Sequence, residues 1–173
     1  MQEAQFDETP EGQVPVGDGW FIRNLGELAW ETVPGFGVWR DLGVGLHIHV
    51  LQPGEAGGYY HAEDAAEGFV VLSGECVAIV EGEERRMRPW DFLHSPPGTE
   101  HITVGAGDEP CAILMFGSPD PSRKVEWIAN ETAARYGASV ATTTGRDTEA
   151  YGDLPEPVRV RPPKPFGMFT PTG

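Results

Sequence analysis

A chain of 173 residues of which 39% are hydrophobic can bury one sizeable core but is short for two domains, so we expect a single domain with tails. The formal net charge of -15 disfavours binding to a phosphate backbone, which depends on clustered lysine and arginine, and this excludes nucleic acid as an expected partner. No stretch approaches the ~20 consecutive apolar residues of a membrane helix, and the N-terminus MQEAQFDETPEGQ is acidic, so we expect a cytoplasmic protein without membrane contact.

Short apolar runs dominate the middle of the chain. Residues 1–19 are polar and rich in glycine, proline and acidic groups, which predicts a flexible N-terminal arm. From 20 to 117, apolar runs are separated by glycine, proline and acidic turns, a spacing typical of an all-β sandwich or barrel. The runs predict strands at 20–24, 37–41, 44–51, 58–63, 67–73, 76–81, 84–88, 91–95, 101–104 and 110–116.

The character of the chain changes after Gly117, and residues 118–173 are predicted to form a C-terminal extension. Asn130 followed by ETAARYGA predicts a short helix near 130–137, with Asn130 as the N-terminal cap and Gly137 as its end. The rest is dense in proline and glycine, which predicts an extended segment. Because Phe166, Met168 and Phe169 are costly to leave in water, we expect this tail to pack on the barrel or on a partner subunit.

Two histidines and two glutamates have the spacing of a metal site. His61 and Glu63 share one face of a predicted strand, because successive side chains point to opposite faces. Glu67 begins the next strand, and the turn SPPGTE delivers His101 from a distant hairpin. Imidazoles with carboxylates suit Mn, Fe, Ni, Co or Zn and leave positions for water or substrate. These residues predict one divalent metal ion of open identity on His61, Glu63, Glu67 and His101; the alternative for Glu63 is a solvated turn residue.

These residues resemble the motifs of the cupin superfamily. The first motif of that family runs Gly, five residues, His-x-His, three or four residues, Glu, six residues, Gly, and its second motif ends Pro-x-Gly-x-x-His. This chain shows His61-x-Glu63, then Glu67 and Gly74, and later Pro96-Pro97-Gly98-Thr99-Glu100-His101.

The resemblance covers residues 40 to about 117 and departs from the family pattern in three places. Glu63 replaces a histidine, Trp90 stands where the second motif opens with glycine, and Gly105 stands where it has asparagine. The resemblance implies a double-stranded β-helix, or jelly-roll, barrel, often a homodimer, with a metal in the barrel mouth. It also implies that His61, Glu67 and His101 occupy ligand positions of the family.

Three other histidines lie in predicted strands. His47 and His49 alternate with the apolar residues of GVGLHIHVLQPG, which form the cleaner core face, so we expect the two histidines to point outward. The alternative places them inside the barrel. His94 precedes the SPPG turn and is predicted to line the pocket as a catalytic acid or base.

Two functions compete at this point. The first is a metal-dependent enzyme acting on a small organic substrate, with dioxygenase, isomerase or related chemistry. The second is a non-catalytic module that binds a small ligand or a metal, and a weaker third is a structural barrel without metal. A 2-oxoglutarate oxygenase needs a cation for its cosubstrate, and the absence of lysine and arginine from His101 to Ser122 counts against that version.

Overall fold

Strands are the main regular secondary structure of the protein. The computed structural model describes residues 44–118, 120 and 122–152 with their side chains, and residues 13–17, 20–23, 30–33, 36–39 and 158–160 as backbone strands. In chain order the elements are β1 (Gln13–Gly17), β2 (Trp20–Arg23), β3 (Trp30–Val33), β4 (Phe36–Trp39), β5 (Gly45–Leu51), β6 (His61–Glu63), β7 (Glu67–Ser73), β8 (Glu75–Val80), β9 (Glu83–Met87), β10 (Phe92–Ser95), β11 (His101–Ala106), β12 (Cys111–Gly117), β13 (Val125–Trp127), α1 (Glu131–Ala134), α2 (Asp147–Tyr151) and β14 (Val158–Val160).

Two antiparallel sheets form the body of the fold. The larger has the strand order β10-β7-β12-β5-β4-β3-β14, the smaller has the order β13-β6-β11-β8-β9, and β1 and β2 form a separate pair. The principal core cluster draws on both sheets, with Phe69, Val71 and Ile113 from the larger and Cys76 and Ala78 from the smaller. Side chains from the two inner faces therefore pack against each other, and the predicted all-β jelly-roll fold is confirmed.

The smaller sheet is covered on its outer face as well. Ile79, Ile102 and Val104 form a second buried cluster with Ala133 and Ala138 of the C-terminal extension. Since alternate residues of a strand point to opposite faces, Ala78 faces the barrel core while Ile79 faces the extension. The described part of the extension thus packs on the barrel, whereas residues 161–173, with the predicted apolar tail, lie outside the described residues.

The short helix predicted near 130–137 is present in a reduced form. Helix α1 spans Glu131–Ala134, and the Asn130 side chain accepts hydrogen bonds from the backbone N–H groups of Thr132 and Ala133 at 2.9 and 3.0 Å. Gly137 has a φ of 67°, as the predicted glycine end of the helical segment requires. Helix α2 was not predicted. Neither helix has the length and apolar character to cross a membrane, within the residues that the structure describes.

The observed strands differ from the predicted ones mainly at the two ends of the chain. β1 lies within the segment 1–19 predicted as a flexible arm, while residues 1–12 of that segment fall outside the described residues. β3, β13 and β14 were not predicted, and each is only three or four residues long. The boundaries 1–19, 20–117 and 118–173 remain predictions.

Strand register brings the two motif histidines together. In the smaller sheet β11 pairs with β6, so that His101 lies directly opposite His61. In the larger sheet, Glu67 opens β7 and pairs with Ser95 on one side and with Gly117 on the other. The fold therefore places residues from both sheets at one end of the barrel.

Candidate metal centre

Three of the predicted ligands converge at this end of the barrel. One ligand atom from each of His61, Glu67 and His101 lies within 4.8 Å of the others. His101 Nε2 is 3.0 Å from Glu67 Oε2, and the two imidazole ring centroids are 4.8 Å apart. His101 is only 2% exposed, whereas His61 is half-buried at 18%. The group is therefore buried on the side of His101 and closer to solvent on the side of His61.

Backbone carbonyls orient both imidazoles. His61 Nδ1 lies 2.8 Å from the carbonyl oxygen of Tyr59, and His101 Nδ1 lies 3.0 Å from that of Thr99 and 3.1 Å from Ser95 Oγ. A carbonyl oxygen only accepts, so each Nδ1 carries the proton and donates it. A neutral ring that is protonated at Nδ1 has its lone pair on Nε2, which is the arrangement that metal-binding histidines adopt in proteins.

Charge interactions set the protonation of the three groups. Burial, followed by the nearby His101, lowers the pKa of His61 to about 4. Burial also acts to lower the pKa of His101, but the adjoining Glu67 carboxylate outweighs it and raises the pKa above its ordinary value. Burial would raise the pKa of Glu67, and His101 reverses this, so that the pKa is lowered. A divalent cation would take over the role that the His101 proton plays as a charge partner of Glu67.

Glu63 is a buried carboxylate beside this group. It is 7% exposed, its Oε2 accepts a hydrogen bond from Arg123 Nε at 2.7 Å, and its Oε1 lies 4.0 Å from His61 Nε2. Burial raises the pKa of Glu63, and so does the charge of Glu67, while Arg123 acts in the opposite direction. The side chain is therefore not a solvated turn residue. It lies outside the group of three, and its role as a ligand remains a prediction.

Arg123 is a site residue that the sequence analysis missed. It lies between β12 and β13, where a mutual pair of hydrogen bonds, Asp64 N to Lys124 O at 3.1 Å and Lys124 N to Asp64 Oδ1 at 2.9 Å, holds the chain beside the end of β6. The sequence search for a cation ended at Ser122, one residue too early. The available signal was the basic pair Arg123-Lys124, which follows the Ser-Pro-Asp-Pro break. Because Arg123 lies at the site, the lack of a cation no longer counts against a 2-oxoglutarate oxygenase.

A cavity of about 460 Å³ opens next to the three candidate ligands. Its wall combines apolar and aromatic side chains with a few polar groups, and besides His61, Glu63, Glu67, His101 and Arg123 it includes His47, His49, Leu51, Glu55, Phe69, Met115, Val125, Trp127 and Tyr151. Tyr151 of α2 stacks on Tyr59 at a centroid distance of 4.9 Å and meets Trp127 edge-on at 5.7 Å. The C-terminal extension therefore completes the wall.

The expected outward direction of His47 and His49 is wrong. Both line the cavity, and His49 is buried at 3% exposure, which lowers its pKa to about 4. Val44 and Val50, which alternate with them, are 36% and 38% exposed. Alternation separates the two faces of a strand but does not say which face is inside, and here the interior face lines a partly polar cavity rather than an apolar core.

His94 does not lie in this cavity, contrary to the expectation that it lines the pocket. On β10 the neighbouring Leu93 packs against the core and Ser95 is buried beside His101, so the side chain of His94 points outward and is exposed. Its placement lends no support to the predicted acid or base role, which remains an untested prediction.

Comparison with known proteins agrees with the fold and the motifs. Residues 47–117 match the cupin domain family. The resemblance to the cupin superfamily is therefore confirmed over this segment.

Several solved structures are similar to the chain. A sugar phosphate isomerase of the cupin superfamily from Silicibacter pomeroyi is 25% identical with a TM-score of 0.48, and the alignment covers 54% of this chain and 65% of that one. The DMSP lyase DddQ from Ruegeria pomeroyi is 26% identical with a TM-score of 0.41, over 46% of this chain and 40% of that one. A cupin-like protein from Thermotoga maritima is 19% identical with a TM-score of 0.47, over 65% and 90%. The chain thus spans less than two thirds of the two named enzymes, and no curated protein matches it.

Proposed function

We propose that the protein holds one divalent metal ion on His61, Glu67 and His101, with Glu63 as a fourth ligand, and uses it to act on a small organic molecule. The observation that carries this proposal is the convergence of one buried and one half-buried imidazole, each oriented through Nδ1 by a backbone carbonyl, on one carboxylate. Such a donor set suits Mn, Fe, Ni, Co or Zn.

The bound metal would supply a Lewis acid or an oxygen-activating centre. The residues around the metal would bind and orient the substrate and exclude water. Phe69, Met115 and Trp127 give the cavity apolar surfaces that exclude water, while Arg123 and His49 offer polar groups that orient a substrate. A metal beside apolar walls and a few polar groups is suited to dioxygenase, isomerase or related chemistry on a small substrate.

The test begins with metal analysis of protein purified without a metal-affinity step. We expect about one ion per chain, in accord with a single site of this donor type. The metal-loaded protein is then assayed for oxygen uptake and for isomerisation on a panel of phenols and keto acids, where turnover should stop on chelation. If none of the five candidate ions binds after incubation, the proposal is wrong.

Chelation should lower the thermal stability of the metal-loaded protein. A ligand present at 100 times its Kd stabilises the folded state by about 2.7 kcal/mol, and a chelator removes this contribution. The melting temperature should fall after EDTA treatment and recover when metal is added back. His61→Ala serves as the control, since its melting temperature should not respond to EDTA. An unchanged melting temperature in the wild-type protein would support the structural barrel without metal.

Replacing Glu63 with glutamine tests the fourth ligand. Because Arg123 already holds Oε2, only Oε1 is available to the metal, and we expect Glu63→Gln to weaken metal binding about tenfold. Glu67→Gln should weaken it more, since Glu67 lies within the group of three. Glu55→Gln, which changes an exposed carboxylate of the cavity wall, is the matched control. If Glu63→Gln binds the metal with wild-type affinity, Glu63 is not a metal ligand and serves only as the partner of Arg123.

A binding module without turnover is the second candidate. The observation that favours it is the outward position of His94, the residue predicted as the catalytic acid or base. Saturable binding of a small ligand to the metal-loaded protein, with no product from the same compound, would support this candidate.

We also propose a homodimer, which the cupin resemblance implies. This proposal is supported by two exposed aromatic side chains, Trp90 at 77% exposure and Phe92 at 56%. Phe92 lies on β10, an edge strand of the larger sheet, and Trp90 lies just before that strand. Light scattering on the purified protein would give the mass of a monomer if the proposal is wrong.

A further inference from the structure

Arg123 is the only lysine or arginine among the described residues that line the cavity. Its side chain is 27% exposed, so it lies between the interior and the solvent. Its Nε donates to Glu63, and within the described part of the chain its two terminal amino groups make no further hydrogen bond. An arginine held through Nε keeps donors that match the two oxygens of an anion.

The charges at the metal end of the cavity leave room for one negative charge. There Glu63 and Glu67 contribute two negative charges and Arg123 one positive charge, while histidines that ligate a metal are neutral. Glu55, the other carboxylate of the cavity wall, is exposed, so water screens its charge and it is not counted. Adding a divalent cation brings this set to a net charge of about plus one. A net charge is costly in a cavity of low dielectric constant, and a single carboxylate cancels it. A neutral molecule would leave the net positive charge in place, and a phosphate dianion would turn it into a net negative charge.

The rest of the cavity is suited to an apolar body. Leu51, Phe69 and Met115 line the barrel side, and Val125, Trp127 and Tyr151 line the side of the C-terminal extension. A cavity of about 460 Å³ lies within the size range of small-molecule sites. A ligand that fits these surfaces has one charged end and an apolar or aromatic remainder.

We infer that the cavity binds a small organic monocarboxylate, with Arg123 holding the carboxylate beside the metal. Arg123 is then a residue that determines specificity for anions. The inference rests on the proposed function, because the charge balance includes the metal.

Calorimetric titration with matched acids and amides tests this inference. The probes are benzoate against benzamide and acetate against acetamide, added to the Mn²⁺-saturated wild-type protein. For at least one pair the acid should bind about tenfold tighter than its amide. Phenyl phosphate should bind more weakly than benzoate.

Variants separate the contribution of Arg123 from that of the metal. Arg123→Gln should bind the preferred acid about tenfold more weakly and change the affinity of the amide less than about threefold, and Arg123→Lys should lose less because it keeps the charge. Arg135→Gln, which removes an exposed arginine paired with Glu84 on the outside, should behave as the wild type.

The outcomes distinguish the two proposals. If Mn²⁺ and the other candidate ions fail to bind, the proposed function and this inference fall together. If metal binds but acids and amides bind alike, or Arg123→Gln retains the wild-type preference for the acid, or phenyl phosphate binds more tightly than benzoate, the inference alone is overturned. The metal affinity of each variant is measured in the same samples, so that a change at the metal is not mistaken for a change at Arg123.

Discussion

Replacing His101 with alanine should remove most of the bound metal while the barrel stays folded. His101 is the most deeply buried of the three converging side chains and lies opposite His61 across the β6–β11 pair. Removing its imidazole takes away one of the two neutral nitrogen ligands, and we expect metal affinity to fall by about 100-fold or more, since even partners outside the coordination sphere are worth 10- to 100-fold. Metal content after gel filtration and competition with a chelator would measure the loss.

His94→Ala is the matched control for this experiment. It makes the same chemical change seven residues earlier in the chain, on the exposed face of β10, and should leave metal content unchanged. Circular dichroism and urea denaturation would show whether His101→Ala is folded. If it is not, His61→Ala repeats the test at the half-buried imidazole. A full complement of metal in either folded variant contradicts the proposed site.

Gly74→Ala should destabilise the protein more than other alanine substitutions at turn glycines. Gly74 has a φ of 66°, and a Cβ at this position would lie 2.4 Å from the carbonyl oxygen of Pro110 and 2.8 Å from Cys111 Cα. Both contacts are with backbone atoms, which cannot rotate away as a side chain can. The left-handed conformation costs an alanine about 1 kcal/mol, and the steric conflict adds about 2 kcal/mol or more to the loss of unfolding free energy.

Gly98→Ala separates these two costs. Gly98 also has a positive φ, 82°, but no atom of the described residues lies within 4 Å of the position that a Cβ would take there, so we expect a loss of about 1 kcal/mol. Urea denaturation of both variants would give the difference. Equal losses would mean that the turn at Gly74 can move away from the start of β12. The expected difference explains in physical terms why the first motif ends on glycine.

The main strands and the candidate ligands could be predicted because both produce recognisable patterns in short stretches of the sequence. β5 alternates apolar residues with histidines, β7, β8 and β12 are nearly continuous apolar runs, and all four end at glycine or proline turns, which are strong local signals of a strand. The candidate ligands His61, Glu67 and His101 lie at the ends of predicted strands and match the cupin motifs, and both observations indicated that they lie close together.

Other features depend on contacts that one stretch of sequence does not reveal. β13 is three residues long and is ordered by pairing with β6, some sixty residues earlier in the chain, so its local pattern is weak. The direction of His49 depends on which face of β5 the barrel encloses. The position of Arg123 depends on the hydrogen bonds between Lys124 and Asp64, which form only once the extension has folded back.

The packing of the extension against β6 has a consequence for any attempt to isolate the barrel. Tyr60, which precedes β6, receives a backbone hydrogen bond from Ile128 and donates one to Ala138, and β6 itself pairs with β13 along all three of its residues. A fragment that stops at Gly117 would expose this strand as a frayed edge and release His61 from the position that faces His101. The domain that matches the cupin family is thus shorter than the smallest piece that we expect to hold an ion, and excision, fusion or grafting of the site needs the chain to at least Ala138.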